Sequence, residues 1–341
     1  MTTVRTRSRE TSPMAGLYDR LGAVGLSRAY VKKVVLPPWW EDKIARNPAG
    51  YAEALSTVAR NLGLDLASLQ DASGPILRYD LGPRRFKHRA HVTEGDLQVA
   101  ECIALRAAQL ACLATTEPAR DLDASAGALR AALLGSGQSC LTFASLLDAC
   151  WDHGIPVLHV THFPQGVKKM DGLAARIGGR PAIVLSCKRL HSAWLEFHLG
   201  HEMGHIGRGH LKDDGVLVED EEQRAEDAGE EREANEYAAE LLTGKPDLQY
   251  ASGRRLSAPV LAQKAVEQGR EARIGPGALI LNYAKATGDW AAATNALKII
   301  EPEPGAITLI HAKMCERLEW DRLSEESAAF LLRVTGVDSE A

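Results

Sequence analysis

A pentapeptide near the middle of the chain constrains its fold and chemistry more than any other feature. His201 and His205 enclose Glu202 in a His-Glu-x-x-His pattern, within an apolar, helix-like run over residues 194–206. Residues four apart lie on one face of a helix, about one turn apart, so both imidazoles can bind one Zn²⁺ ion. Glu202 lies about 100° round the helix from His201. It is therefore placed to deprotonate a water molecule beside the metal, as metal-assisted peptide hydrolysis requires.

The pattern alone is ambiguous, because a buried amphipathic helix can carry histidines without binding a metal. Its surroundings favour a metal site. Gly207 and Gly209 suit the end of a helix, and the preceding segment 180–186 has the pattern of a short buried strand. A catalytic zinc site needs three protein ligands and one open position. A third ligand is therefore expected elsewhere in the chain.

A second helix is predicted over residues 231–242, at the end of an acidic stretch that is otherwise typical of a solvated surface. Glu231 shares one face of this helix with small and apolar residues, namely Ala234, Asn235, Ala238, Leu241 and Leu242. A carboxylate on a buried face needs a partner, and zinc on a facing helix would supply one. We therefore predict Glu231 as the third ligand. Glu233, on the opposite face, is the alternative.

The two helices resemble motifs of the ImmA/IrrE family of zinc metallopeptidases. That family pairs a His-Glu-x-x-His helix with a later helix of the form Glu-x-x-Ala-Asn/Asp-x-Phe/Tyr-Ala-Ala-x-Leu-Leu, and residues 231–242 fit that form. The similarity covers about residues 140–245. It implies a zincin-like core in which His201, His205 and Glu231 bind Zn²⁺ and Glu202 acts as the general base.

The resemblance also implies a substrate and a way to bind it. Residues 169–185 correspond to a hairpin whose edge strand can pair with an extended peptide. The implied substrate is a specific protein, a repressor-type regulator with a helix-turn-helix, cleaved in a stress or mobile-element response.

The chain departs from the family at His198, where a small hydroxyl residue is usual, and at Gly200, where alanine is usual. His198 falls on the same helix face as the two histidines of the motif. We interpret it as a core histidine or one that supports a metal ligand. Asn235 and Glu233 are predicted to support the ligands in the same way.

Composition favours a helix-rich fold. Together with the zincin-like core that the resemblance implies, it leads us to expect an α+β fold that is predominantly helical, with helical regions on both sides of that core. At 341 residues the chain is too long for one ordinary compact domain, and its few aromatic residues and many alanines favour helices. Five regions are predicted: a disordered tail (1–12), a helical, helix-turn-helix-like module (13–75), a connector with a long helix (76–135), the metallopeptidase domain (136–245) and a C-terminal helical region (246–341).

The N-terminal module weakly resembles the XRE-type helix-turn-helix regulators that are often fused ahead of ImmA/IrrE domains. Arg28, Lys32 and Lys33 could contact DNA. A protein-interaction module without DNA contacts is an equally good interpretation. The net charge of −5 argues against a wholly basic nucleic-acid binder, but it allows a basic patch.

The sequence also predicts a cytoplasmic protein that does not enter the membrane. No apolar run reaches transmembrane length, and no hydrophobic signal region follows the first methionine. The six cysteines form no Cys-x-x-Cys pair, so we expect reduced thiols rather than a disulfide framework.

These observations lead to one main hypothesis and two alternatives. The main hypothesis is a zinc-dependent endopeptidase. The first alternative is a DNA-binding transcription regulator or antitoxin-like protein, in which the metal domain is sensory or vestigial. The second is an inactive scaffold that binds partners. Glu202 argues against the scaffold, because a structural zinc site does not need a general base.

Overall fold

A computed structural model describes residues 12–71, 94–135, 137–167, 170–211, 216–219, 228–248, 250 and 255–337; for residues 94–98, 216–219 and 228 it describes the backbone. Residues 1–11 of the tail predicted over residues 1–12 lie outside these ranges, as do residues 76–93 of the predicted connector.

The described chain is predominantly helical with a small sheet, as predicted. The α-helices are α1 Pro13–Ala23, α2 Arg28–Tyr30, α3 Pro48–Leu62, α4 Leu66–Gln70, α5 Glu94–Ala114, α6 Ala126–Gly135, α7 Phe143–Asp152, α8 Ser192–Gly207, α9 Ala228–Thr243, α10 Ala258–Ala272, α11 Pro276–Thr287, α12 Trp290–Ile300, α13 Ala306–Arg317 and α14 Glu325–Thr335. A π-helix, Val31–Val35, continues α2, and short 3₁₀ turns cover Ile44–Arg46 and Trp320–Arg322.

Four strands form the described sheet: β1 Val157–His159, β2 Gly172–Ile177, β3 Arg180–Leu185 and β4 Val216–Glu219. Their order is β1-β3-β2-β4, with β1 parallel to β3 and β2 antiparallel to both neighbours. Gly178 and Gly179 join β2 to β3, with φ angles of 56° and 83°. A two-residue hairpin turn needs such positive φ values, which glycine adopts without strain.

The hairpin confirms the predicted buried strand but not the predicted edge. Residues 172–175 of β2 pair with residues 216–219 of β4, so β2 lies inside the sheet. The prediction that this hairpin presents an edge strand to a substrate is therefore wrong. The strand β4 is a short apolar run, Val-Leu-Val, within an acidic stretch. Its pairing partner lies more than 40 residues earlier in the chain, so local patterns did not indicate it.

The N-terminal helices pack onto the rest of the molecule. Among the described residues, one cluster of buried hydrophobic side chains extends from Met14 on α1 to Val334 on α14. The Arg333 guanidinium donates a hydrogen bond to the carbonyl of Val34 (2.9 Å), and the Tyr30 hydroxyl donates one to the carbonyl of His162 (3.3 Å). The predicted domain boundaries within this core stay predictions. Within the described ranges, every helix is too short or too polar to cross a bilayer.

Glu101, on α5, makes stability depend on pH. Its side chain is almost fully buried, and this burial raises its pKa from 4.5 to about 7. Between these pH values the Glu101 carboxyl is ionised in the unfolded chain but not in the folded one, so the fold loses stability as the pH rises, by up to about 3 kcal/mol.

We expect Glu101→Gln to remove this loss of stability. Urea unfolding of both proteins at pH 4, 6 and 8 should show a stability difference that shifts in favour of the variant as the pH rises. A difference independent of pH would contradict this.

Candidate metal centre

Small residues bring helices α8 and α9 into close contact. Gly200 and Gly204 of α8 face Ala238 and Ala234 of α9. A Cβ atom at position 204 would lie 3.0 Å from both the Cα and the carbonyl oxygen of Ala234. The backbones therefore approach as closely as glycine allows. This packing sets how far a side chain of α9 must reach to meet one of α8.

The N-terminus of α8 is held by a residue from a distant part of the chain. The Glu301 carboxylate accepts hydrogen bonds from the backbone N–H of Ser192 (2.7 Å) and from its hydroxyl (2.6 Å). A carboxylate at this position satisfies an unpaired helical N–H and interacts favourably with the helix dipole. It fixes the helix that carries the motif.

The three predicted ligands converge between α8 and α9. His201 Nε2 lies 3.0 Å from His205 Nε2 and 3.4 Å from Glu231 Oε2, and His205 Nε2 lies 3.7 Å from Glu231 Oε1. In a tetrahedral zinc site, atoms about 2.1 Å from the ion lie about 3.4 Å from one another. The three distances bracket this value. Both imidazoles are buried, and Glu231 is partly exposed.

The other ring nitrogens bind residues that orient the imidazoles. His201 Nδ1 lies 3.2 Å from Asn235 Oδ1, so this ring N–H donates to the amide oxygen. His205 Nδ1 lies 2.9 Å from His210 Nδ1, and His210 Nε2 lies 3.1 Å from Glu233 Oε2. A neutral imidazole has one N–H donor and one acceptor nitrogen. His210 Nε2–H therefore donates to the Glu233 carboxylate, and His210 Nδ1 accepts the hydrogen bond that His205 Nδ1–H donates. Both motif histidines then direct an Nε2 lone pair towards Glu231.

This donor set fits a divalent cation. Two Nε2 lone pairs and a carboxylate converge within a few ångströms, and such acceptors repel each other unless a cation or a proton lies among them. Hydrogen bonds to the distal ring nitrogens are the usual support for metal-binding histidines. His201, His205 and Glu231 could therefore hold a metal ion.

Glu202 lies on the sheet side of α8. A Cβ atom at position 172 would overlap with its Oε1 atom, so the carboxylate lies directly against the backbone at the start of β2. A larger residue at position 172 would require the Glu202 carboxylate to move. The carboxylate is buried, one residue along the helix from His201, which could bind the metal ion.

His198 belongs to a separate group of possible ligands. Its ring nitrogen, the thiol of Cys187 and the carboxylate of Asp171 lie within 4.8 Å of one another. His159 is not a member of this group, but its Nε2 atom lies 3.2 Å from the backbone carbonyl of Cys187.

Comparison with known protein families, curated proteins and solved structures gives no match for this chain.

Sequence reasoning missed His210 and Gly172. His210 follows the end of α8, five residues after His205, and its role depends on a turn that brings it back under the helix. Its backbone N–H bonds to the carbonyl of His205 (3.0 Å), which closes that turn. Gly209, with a φ of 71°, makes the turn possible. The sequence pattern indicates the helix end at this glycine, but it does not indicate a role for the histidine that follows.

The close packing of α8 and α9 predicts opposite effects for two alanine substitutions. Alanine forms helices better than glycine by about 1 kcal/mol. Gly200→Ala should stabilise the protein, because its Cβ would meet Ala238 Cβ at an ordinary 3.4 Å. Gly204→Ala should destabilise it by about 1–2 kcal/mol, because the Cβ would press on the backbone of Ala234. Urea unfolding measures both, and destabilisation of equal size in the two variants would contradict the account.

The ligand geometry predicts different effects for the two glutamates of α9. Glu231→Gln should lose the zinc equivalent held by His201 and His205, because an amide is a poor zinc ligand. Glu233→Gln should keep that zinc with about 10-fold lower affinity, because Glu233 acts through His210. Zinc content after dialysis and competition with a chelating dye measure these effects. Loss of zinc from the Glu233 variant alone would reverse the assignment.

Proposed function

We propose that this chain is a zinc-dependent endopeptidase of the ImmA/IrrE type with a zincin-like core. The observation that carries the proposal is the convergence of His201, His205 and Glu231, with a buried glutamate, Glu202, next to His201 on the same helix. A structural zinc site is normally closed by four protein ligands, whereas three ligands with an adjacent carboxylate suit catalysis.

Each residue then has a distinct role. Bound zinc would polarise the scissile carbonyl and make water acidic enough to attack near neutral pH. Glu202 accepts the proton of the attacking water and passes it to the leaving amine. Gly172 keeps the Glu202 carboxylate close to the backbone at the start of β2. Asn235 and His210 keep the two imidazoles in the required tautomer.

The proposed substrate is a repressor-type regulatory protein, presented to the site as an extended segment. Because β2 is covered by β4, such a segment would pair with β4, the outer described strand on this side of the sheet. Backbone hydrogen bonds would supply affinity, and pockets for alternate side chains would select the cleavage site.

The DNA-binding alternative has less support. Arg28 lies 2.8 Å from Asp42, and Lys32 lies 3.5 Å from the same carboxylate. Two of the three basic side chains predicted to contact DNA thus lie beside a carboxylate, which lowers the net positive charge of this surface.

The test of this proposal is Glu202→Gln. The variant should keep zinc and the fold, and lose cleavage by at least about 100-fold, since it removes the proton acceptor. Zinc-loaded protein and variant are incubated with a lysate of the source cells, and new peptide N-termini are quantified by mass spectrometry. We expect a small set of cleavages, in a helix-turn-helix regulator, that only the unmodified protein produces.

Two outcomes would contradict the proposal. Equal cleavage by the Glu202 variant would rule out this mechanism. No new N-terminus with the zinc-loaded, unmodified protein would rule out the peptidase. Glu53→Gln, an exposed substitution on α3, is the matched control and should leave cleavage unchanged.

A further inference from the structure

We propose that Asp171, Cys187 and His198 form a second divalent-metal site, separate from the one formed by His201, His205 and Glu231. The two clusters share no residue. The inference goes beyond the peptidase proposal and does not depend on it.

The fold brings these three residues together from distant parts of the chain. Asp171 immediately precedes β2, and Cys187 follows the end of β3 by two residues. Antiparallel pairing places these two strand ends side by side, and the backbone N–H of Ser186 continues the pairing by donating to the carbonyl of Asp171 (3.0 Å). His198 reaches this point from the second turn of α8, which packs against both strands.

The distances suit a metal ion. The possible ligand atoms lie within 4.8 Å of one another, and in a tetrahedral zinc site with sulfur, nitrogen and oxygen ligands they would lie about 3.5 Å apart. Shifts of about 1 Å, within the reach of side-chain rotation, would close the site. Cys187 is 2% exposed and His198 4% exposed, so any ion held there would be largely shielded from water.

Cys187 is held in the way that a metal-binding cysteine requires. Its sulfur accepts a hydrogen bond from the backbone N–H of Arg189 (3.4 Å), and its carbonyl oxygen lies 3.2 Å from His159 Nε2. Hydrogen bonds to the atoms that bind a metal are a common feature of metal sites, because they orient the ligands. The Arg189 guanidinium lies 3.8 Å from the centre of the Trp194 ring, and this contact helps to fix the position of Arg189.

The donor set indicates the class of metal. One thiolate, one imidazole and one carboxylate suit Zn²⁺ or a similar borderline-soft ion better than Ca²⁺ or Mg²⁺, which prefer oxygen ligands alone. A reactive Cys-His-Asp triad is the competing interpretation. Its thiol would need to meet a substrate, and the burial of Cys187 argues against that.

A metal ion at this second site would also affect the surroundings of Glu202. Asp171 is bonded to Gly172, the residue against which the Glu202 carboxylate lies. His198 lies four residues before Glu202, on the same side of α8. A metal ion that joins Asp171, Cys187 and His198 would therefore fix the start of β2 relative to α8.

Cobalt titration of the metal-free, full-length protein tests the proposal, because thiolate ligation gives a charge-transfer absorption that imidazole and carboxylate ligands do not. We expect two equivalents of Co²⁺ to bind, one with this absorption. Cys187→Ser should lose the absorption and one equivalent. Cys140→Ser, at a half-buried cysteine outside both clusters, is the matched control and should keep both. Glu231→Gln should lose the other equivalent and keep the absorption, so failure of the first site is distinguishable from failure of the second.

Several results would overturn the second site. One is binding of cobalt without thiolate absorption, and another is unchanged absorption in Cys187→Ser. If circular dichroism shows that Cys187→Ser does not fold, His198→Ser decides, and we expect at least a 10-fold loss of affinity for the thiolate-bound ion. Unchanged affinity in that variant would overturn the site. Rapid alkylation of Cys187 by iodoacetamide in the cobalt-loaded protein would do so too, since a metal-bound buried thiolate should be protected.

Discussion

The contact between α8 and α9 at Gly204 and Ala234 determines how closely Glu231 approaches His201 and His205. Without a side chain at position 204, the two backbones approach closely enough for the short carboxylate of Glu231 to reach the imidazoles of His201 and His205. A longer separation would leave the two buried imidazoles without the partly exposed carboxylate as a neighbour, and unpaired buried polar groups are costly. The same packing therefore stabilises the fold and brings together three residues that could hold a metal ion.

Other parts of the fold act on this pair of helices. Glu301 caps the start of α8, and the turn at Gly209 brings His210 beneath its end. The chain of contacts from His205 through His210 to Glu233 returns to α9, so the two helices are joined by polar contacts as well as by packing. On the opposite side, Gly172 accommodates Glu202. The helix is thus fixed at both ends and on two faces, which is the rigidity that a catalytic site needs.

Features set by local sequence were predictable, and features set by distant contacts were not. The helix spacing of His201 and His205 and the buried face of Glu231 depend on a period of 3.6 residues, which can be counted in the sequence. The strand β4 and the cluster of Asp171, Cys187 and His198 depend on sheet register and on how α8 crosses the sheet. Neither can be derived from residues near to each other in the chain. His198 illustrates the difference, because its helix face was predictable but its neighbours were not.

The most direct measurement of the central claim is a crystal structure of the zinc-loaded protein, with diffraction data collected on both sides of the zinc absorption edge. The account predicts an anomalous peak between α8 and α9, about 2.0–2.2 Å from His201 Nε2, His205 Nε2 and a Glu231 carboxylate oxygen. A zinc-loaded crystal with no peak among these three atoms, or with the ion there bound by Glu233 in place of Glu231, would contradict it.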